Sequence, residues 1–172
     1  MITEKINAKE LFSLYDETTN ELMQLITSFK ENQINTIPFE GSWTAAQVAE
    51  HITKSNVSII HALNLEGKPV ERNPEERVQE LKETFLNFNT KFQSPEFILP
   101  TKDIYQRDKV IEDLKGSIVQ LKVAFHNKDL SQIINVPAFG KITKLEIFHF
   151  VLYHTQRHIH QLKNIFEKQK HK

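Results

Sequence analysis

Leu145-Glu146-Ile147-Phe148-His149-Phe150-Val151-Leu152-Tyr153-His154 is the stretch that decides the fold. Apolar side chains stand at 145, 147, 148, 150, 151, 152 and 153, so a helix drawn through it has almost no polar side. A helix apolar all round is one that other elements surround. Thr143 followed by Glu146 forms a capping box in front of it, in which each side chain satisfies a backbone donor of the first turn. The helix is expected to continue to about residue 168. Histidines inside it must find partners, because an unpaired buried polar group is costly.

The rest of the chain supplies the surroundings. Leu11, Leu14, Tyr15, Leu22, Leu25, Ile26 and Phe29 recur at spacings of three and four, which predicts an amphipathic helix over residues 3–32. Pro38, Gly41 and Ser42 mark a loop, and Thr44 with Gln47 forms a second capping box. The helix it opens should reach about residue 65, where Gly67 and Pro69 end it. Asn73-Pro74-Glu75-Glu76 has the chemistry of a helix start, predicting a helix over 74–92. Residues 93–107 read as a loop. A further helix is expected over 108–127, with Gly116 inside it at a cost of about 1 kcal/mol relative to Ala, tolerable where a neighbouring helix comes close. Residues 129–142 read as an extended connection with room for a short strand. The fold class is all-α, with long connections and a short extra helical or extended segment, and residues 1–172 read as one domain.

Composition narrows the function. Among 172 residues, Lys plus Arg and Asp plus Glu both total 22, so the formal net charge is zero. That balance speaks against a nucleic-acid partner. No run approaches a membrane span, and residues 1–5 carry no apolar signal core. The absence of cysteine excludes a disulfide scaffold, a thiol nucleophile and Cys-ligated zinc within this chain, and fits the cytoplasm as the expected location.

Eight histidines are many for this length. His154 and His158 are spaced i, i+4, so they stack about 40° apart on one face, and Gln161 returns to that face. Two imidazoles so placed can chelate a divalent ion, with zinc or nickel suited to nitrogen ligands. The same pair also reads as two satisfied core histidines. His51, two turns into the second long helix, is the candidate third ligand. Three protein ligands with a vacant position would make a catalytic arrangement rather than a structural one. His154-Thr155-Gln156-Arg157-His158 lacks the glutamate of a zincin. Gln47 and Gln161 are candidates to orient a histidine from outside the ligand set, or else a cap and a helix-end polar residue. Trp43 reads as an anchor where its helix begins. His149 and His61 read as structural, and His126 and His171 as solvated. The charges over 72–83 read as a wet helix face, and the Lys-rich residues 163–172 as a fraying tail.

Taken together, Trp43-Thr44-x-x-Gln47-x-x-x-His51, Phe139-Gly140-x-x-Thr143 and His154-x-x-x-His158-x-x-Gln161 resemble the DinB-like superfamily over almost the whole chain. The resemblance implies a four-helix bundle of up-down-down-up type. It implies a divalent metal, nickel or zinc, held by His51, His154 and His158, and frequent homodimers. Characterised members of that superfamily include metal-dependent transferases and isomerases that use a low-molecular-weight thiol, such as bacillithiol, mycothiol or glutathione. Others are called hydrolases. The expected function is thus a metal-dependent enzyme acting on a small-molecule substrate. A thiol transferase comes first, a hydrolase second, and a non-catalytic metal-binding, stress-associated dimeric protein is the remaining reading.

Overall fold

The computed structural model describes residues 7–170. Four long helices form the bundle: α1 (Ala8–Ser28), α3 (Ala45–Leu63), α5 (Arg107–His126) and α6 (Lys144–Lys170). Two short helices, α2 (Glu31–Ile34) and α4 (Val78–Phe85), and a 3-10 turn (Glu96–Ile98) lie in the connections. β1 (Ile133–Val136) and β2 (Gly140–Thr143) pair antiparallel, Ile133 opposite Thr143 and Val136 opposite Gly140. Gly140 has φ +66°, the left-handed turn conformation that suits glycine. The hairpin holds the α3–α4 connection through reciprocal backbone bonds between Lys68 and Ile133. A Cβ at Gly67 would sit 2.6 Å from Cβ of Gln132, so only glycine passes there.

α1 and α3 each pack against α5 and α6, and α4 closes the remaining side of α6. The apolar run over 145–153 accordingly has Ile147, Phe148, Phe150, Val151 and Leu152 all buried. Phe148 stacks on Phe125 at 4.1 Å and meets Tyr15 and Phe12 edge-on, joining three helices at the bundle centre. The Tyr15 hydroxyl donates to the carbonyl of Ile118 (2.8 Å), so its buried oxygen is satisfied.

Several elements differ from the sequence expectation. Residues 3–6 lie outside the described residues; Asn7 and Glu10 form a capping box that starts α1. The helix stops at Ser28, four residues short of expectation. Arg107 takes the carbonyls of Thr27 and Phe29 (2.7 Å each), replacing the next helical turn. The helix expected over 74–92 shrinks to Val78–Phe85: Asn73 caps a separate turn through Glu75, and Arg157 takes the carbonyls that would have continued it. The stretch 93–107 contains the 3-10 turn. Gly116 is not a close-packing site, since nothing lies within 4 Å of a Cβ built there. His61 is exposed at the end of α3 rather than structural. His126 is exposed as expected but stacks on Phe12 at 3.7 Å. Helix α6 runs on through the expected tail to Lys170, with Gln169 bonded to Gln33 and Thr36; His171 lies outside the described residues.

The charged segment 72–83 is not simply a wet face. Arg72 reaches inward to Glu146, which is fully buried, in a two-pronged pair of 2.7 and 2.8 Å. The same carboxylate accepts from the N–H groups of Arg77 and Thr143 (2.9 Å each), so the acid of the capping box is also the anchor of the connection. Burial alone would raise its pKa. The Arg72 guanidinium and the two N–H groups together outweigh that and hold it below the ordinary value.

Glu146→Gln should therefore destabilise the fold by about 2 kcal/mol in urea denaturation at pH 7, because the buried carboxylate that pairs with half-buried Arg72 is lost. Thr143→Ala removes the cap and the hydroxyl's bond to the Pro74 carbonyl (2.7 Å) but no ion pair, at about 1–2 kcal/mol. Equal small losses would show that the ion pair carries no weight. A second test concerns His149, whose Nε2 is buried without a hydrogen bond, 4.0 Å from Glu75. Burial lowers its pKa to about 4, against the opposing charge of Glu146. The unfolded chain then binds more protons, so the stability this neutral imidazole contributes is complete above pH 6.5 and drains away as pH falls towards 4. His149→Phe should be near neutral at pH 7 and should flatten that acid limb; an unchanged limb would reject the assignment.

Candidate metal centre

Each capping box sets the rotational phase of its helix. His51 follows Thr44 by seven residues, two turns, and His154 follows Thr143 by eleven, three turns. The two faces meet where α3 packs on α6. The structure brings His51, His154 and His158 together there, with one ligand atom of each within 4.8 Å of the others. Nε2 of His154 lies 3.2 Å from Nε2 of His51 and 3.0 Å from Nε2 of His158. The residues expose only 1%, 9% and 7% of their surface.

The proton positions follow from the outer partners. His51 Nδ1 donates to the carbonyl oxygen of Ile98 (2.9 Å), and His158 Nδ1 donates to Oε1 of Gln161 (2.8 Å). Both rings therefore turn an unprotonated Nε2 towards His154. If His154 also carried its proton on Nε2, that proton could serve only one of two facing lone pairs. Gaining charge is no remedy. Burial and then the neighbouring imidazoles push His154 well below the ordinary histidine value, and burial followed by His51 lowers His158 to about 3. Burial likewise lowers His51, although the Ile98 carbonyl works the other way. A divalent cation among the three nitrogens removes the conflict. Zn–N bonds of roughly 2.0–2.1 Å at tetrahedral angles put the nitrogens about 3.3 Å apart, close to what is seen. The donor set fits such an ion, and among the described residues no fourth His, Asp or Glu joins it.

Gln161 thus lies beside a histidine. Gln47 does not: its Oε1 accepts from the Thr44 N–H (3.0 Å) and its Nε2 donates to the carbonyl of Lys102 (3.0 Å). Its part is to hold the strap, residues 95–106, that carries Ile98. Glu50, His51 and Lys54 complete a stripe along α3 with it. Glu50 accepts from Thr101 and from the Tyr105 hydroxyl, and Lys54 donates to the carbonyl of Leu99 (2.7 Å). His160, not counted as a ligand, stacks on Phe88. Trp43 is half-buried with its ring centre 5.1 Å from that of His51, and Phe150 and Phe85 lie 5.2 and 6.4 Å from that of His154. Aromatic walls thus line the histidines. Phe150 belongs to the apolar run of α6, and nothing in the spacing of Phe85 or Phe150 distinguishes a wall from packing. The Ile98 carbonyl is a backbone group and leaves no sequence signal at all. Two surface clefts, of about 800 Å³ along α3 and α5 and about 510 Å³ beside α4, are lined by none of the three histidines.

Comparison with known proteins agrees with this architecture. The chain is 24% identical over 167 residues to YuaE, an uncharacterised protein of Bacillus subtilis (strain 168), covering 91% of this chain and 97% of that protein. YfiT from Bacillus subtilis, described as a "probable metal-dependent hydrolase with an unusual four-helix bundle topology", superposes with a TM-score of 0.62 at 15% identity, over 99% of this chain and 93% of YfiT. TT2238, described as a four-helix bundle protein, superposes with a TM-score of 0.53 at 16% identity, over 91% of this chain and 98% of TT2238. The DinB superfamily model matches residues 14–162. With that match over most of its length and a four-helix bundle built around its histidines, the chain belongs to the DinB superfamily.

Proposed function

We propose that this chain is a divalent-metal-dependent enzyme acting on a small molecule, with His51, His154 and His158 as the metal ligands. The convergence of three unprotonated or protonation-resistant Nε2 atoms, two of them fixed by outer acceptors, carries this reading. Imidazole donors favour zinc or nickel. A bound ion supplies Lewis acidity and lowers the pKa of a water or thiol that reaches it. The chain's own residues do the rest. Ile98 and Gln161 hold the Nδ1 protons so that the rings keep their aim, and Trp43, Phe85 and Phe150 keep bulk water from the nitrogens.

The reaction we favour is transfer of a small external thiol to an electrophile. A carbon–sulfur bond forms, the leaving group departs with its electron pair, and the thiol proton passes to solvent. The supporting observation is the lack of a free carboxylate base. Glu50, one residue from His51, is engaged by Thr101, Tyr105 and Lys54, and no acid joins the histidine group among the described residues. Hydrolysis is the second reading, supported by the description given to YfiT. A thiol cosubstrate would place the work in a reducing compartment such as the cytoplasm, and we expect the chain to act as a homodimer. No helix of the described residues is long and apolar enough to cross a membrane.

Protein purified without a polyhistidine tag should hold about one divalent ion per chain. The paired change His154→Ala and His158→Ala should abolish it, and Gln161→Leu should weaken it by roughly 10–100-fold in chelator competition. Retention by the double variant would overturn the ligand assignment. With metal bound, conjugation assays across several small thiols should show turnover that exceeds ester and amide hydrolysis. The reverse ranking would favour the hydrolase, and silence in every assay a metal-binding protein without catalysis.

A further inference from the structure

The chain has four arginines, and three of them meet a carboxylate: Arg72 at Glu146, Arg77 at Glu80 and Arg107 at Asp108. Arg157 has no such partner among the described residues. It stands on α6 three residues after His154 and one before His158. Its Nη1 donates to the carbonyls of Phe85 (3.3 Å) and Asn87 (2.9 Å), and its Nη2 to that of Thr90. Its Cζ lies 4.7 Å from the centre of the Phe92 ring. These partners solvate the charge without neutralising it. Its Nε and one Nη2 hydrogen take no part in those bonds.

The charge balance around the histidines is therefore one-sided. No acid joins the three histidines among the described residues, and the carboxylates of the cleft bordered by Asn87, Thr90 and Phe92 are engaged elsewhere, Glu80 by Arg77 and Glu83 by Gln79. A half-buried guanidinium without a carboxylate partner attracts an anion more strongly than one fully in water does. Arginine is the side chain whose flat fork matches a carboxylate with two parallel bonds, and a carboxylate brings the opposite charge that a backbone carbonyl lacks. Phe92 lies against it, and Phe85 and then Phe150 continue the aromatic surface from Phe92 towards His154. We infer that Arg157 is a specificity-determining residue, and that the substrate or cosubstrate is a small organic carboxylate with an apolar body, whose carboxylate takes the guanidinium from the carbonyls of the connection after α4. This rests on the metal site proposed above.

The test uses the full chain loaded with zinc, as wild type, Arg157→Gln and Arg157→Lys, with zinc content measured on every sample. Loss of zinc from the wild type reports on the metal site; the comparison that follows reports on Arg157. Benzoate and phenylacetate are titrated beside benzamide and phenylacetamide by calorimetry. The carboxylates should bind the wild type at least about tenfold tighter than their amides. Arg157→Gln should erase that preference and Arg157→Lys should keep part of it. Equal binding of acids and amides, a preference that survives in Arg157→Gln, or no binding of either overturns the inference. If Arg157→Gln does not retain zinc, hydrogen exchange in the wild type decides. Amides of residues 86–92 should lose protection when benzoate binds, and unchanged protection means that Arg157 is a loop clasp only.

Discussion

The structure depends on one electrostatic constraint: three imidazole nitrogens meet where water is largely excluded, and none of them can readily take up charge. An apolar interior tolerates polar atoms only when each finds a partner of opposite character. Here two of the rings give their only proton outward, to the Ile98 carbonyl and to Gln161, and turn lone pairs inward. The fold around them serves that arrangement. Two capping boxes, Thr44 with Gln47 and Thr143 with Glu146, fix where α3 and α6 begin. Helical geometry then fixes which face each histidine occupies. A cap that slipped by one residue would turn its histidine by about 100° and separate groups that lie 103 positions apart in the chain.

That dependence explains what was legible in the sequence. Periodicity, capping chemistry and an apolar run that leaves no polar side are local signals, and they located α1, α3, α5 and α6 to within a few residues. His51, His154 and His158 could be grouped because each lies a countable number of turns from a recognisable cap. The connection between α3 and α5 was far less legible. Its shape is set by side chains that bind distant backbone carbonyls: Arg107 on Thr27 and Phe29, Arg157 on Phe85, Asn87 and Thr90. A carbonyl is present at every residue, so no sequence feature says which one is used. Arg72 and Arg77 looked like part of a solvated charge run for a related reason, since Arg72 pairs with Glu146 some seventy positions away and Arg77 donates to the distant carbonyl of Phe139.

The carboxylates are as informative as the histidines. Glu146 is committed to Arg72 and two backbone N–H groups, and Glu50 to Tyr105, Thr101 and Lys54. Each acid near the centre thus works as a structural fastener, leaving the histidine cluster without negative charge of its own. Zincin-like hydrolysis needs a free acid beside the metal to handle protons. Chemistry in which the incoming group brings its own negative charge does not, and the arrangement of fixed charges favours that kind of ligand.

The α3 stripe ties these parts into one unit. Gln47, Glu50, His51 and Lys54 recur at i, i+3, i+4 and i+7, and each holds a group of the strap that follows the 3-10 turn or forms its end. His51 alone belongs both to this stripe and to the histidine cluster. Lifting the strap would take the acceptor from its Nδ1, free the ring to rotate and weaken any grip that Nε2 has on an ion. A single imidazole has two nitrogens, and the fold gives Nδ1 to the strap and Nε2 to the histidine cluster.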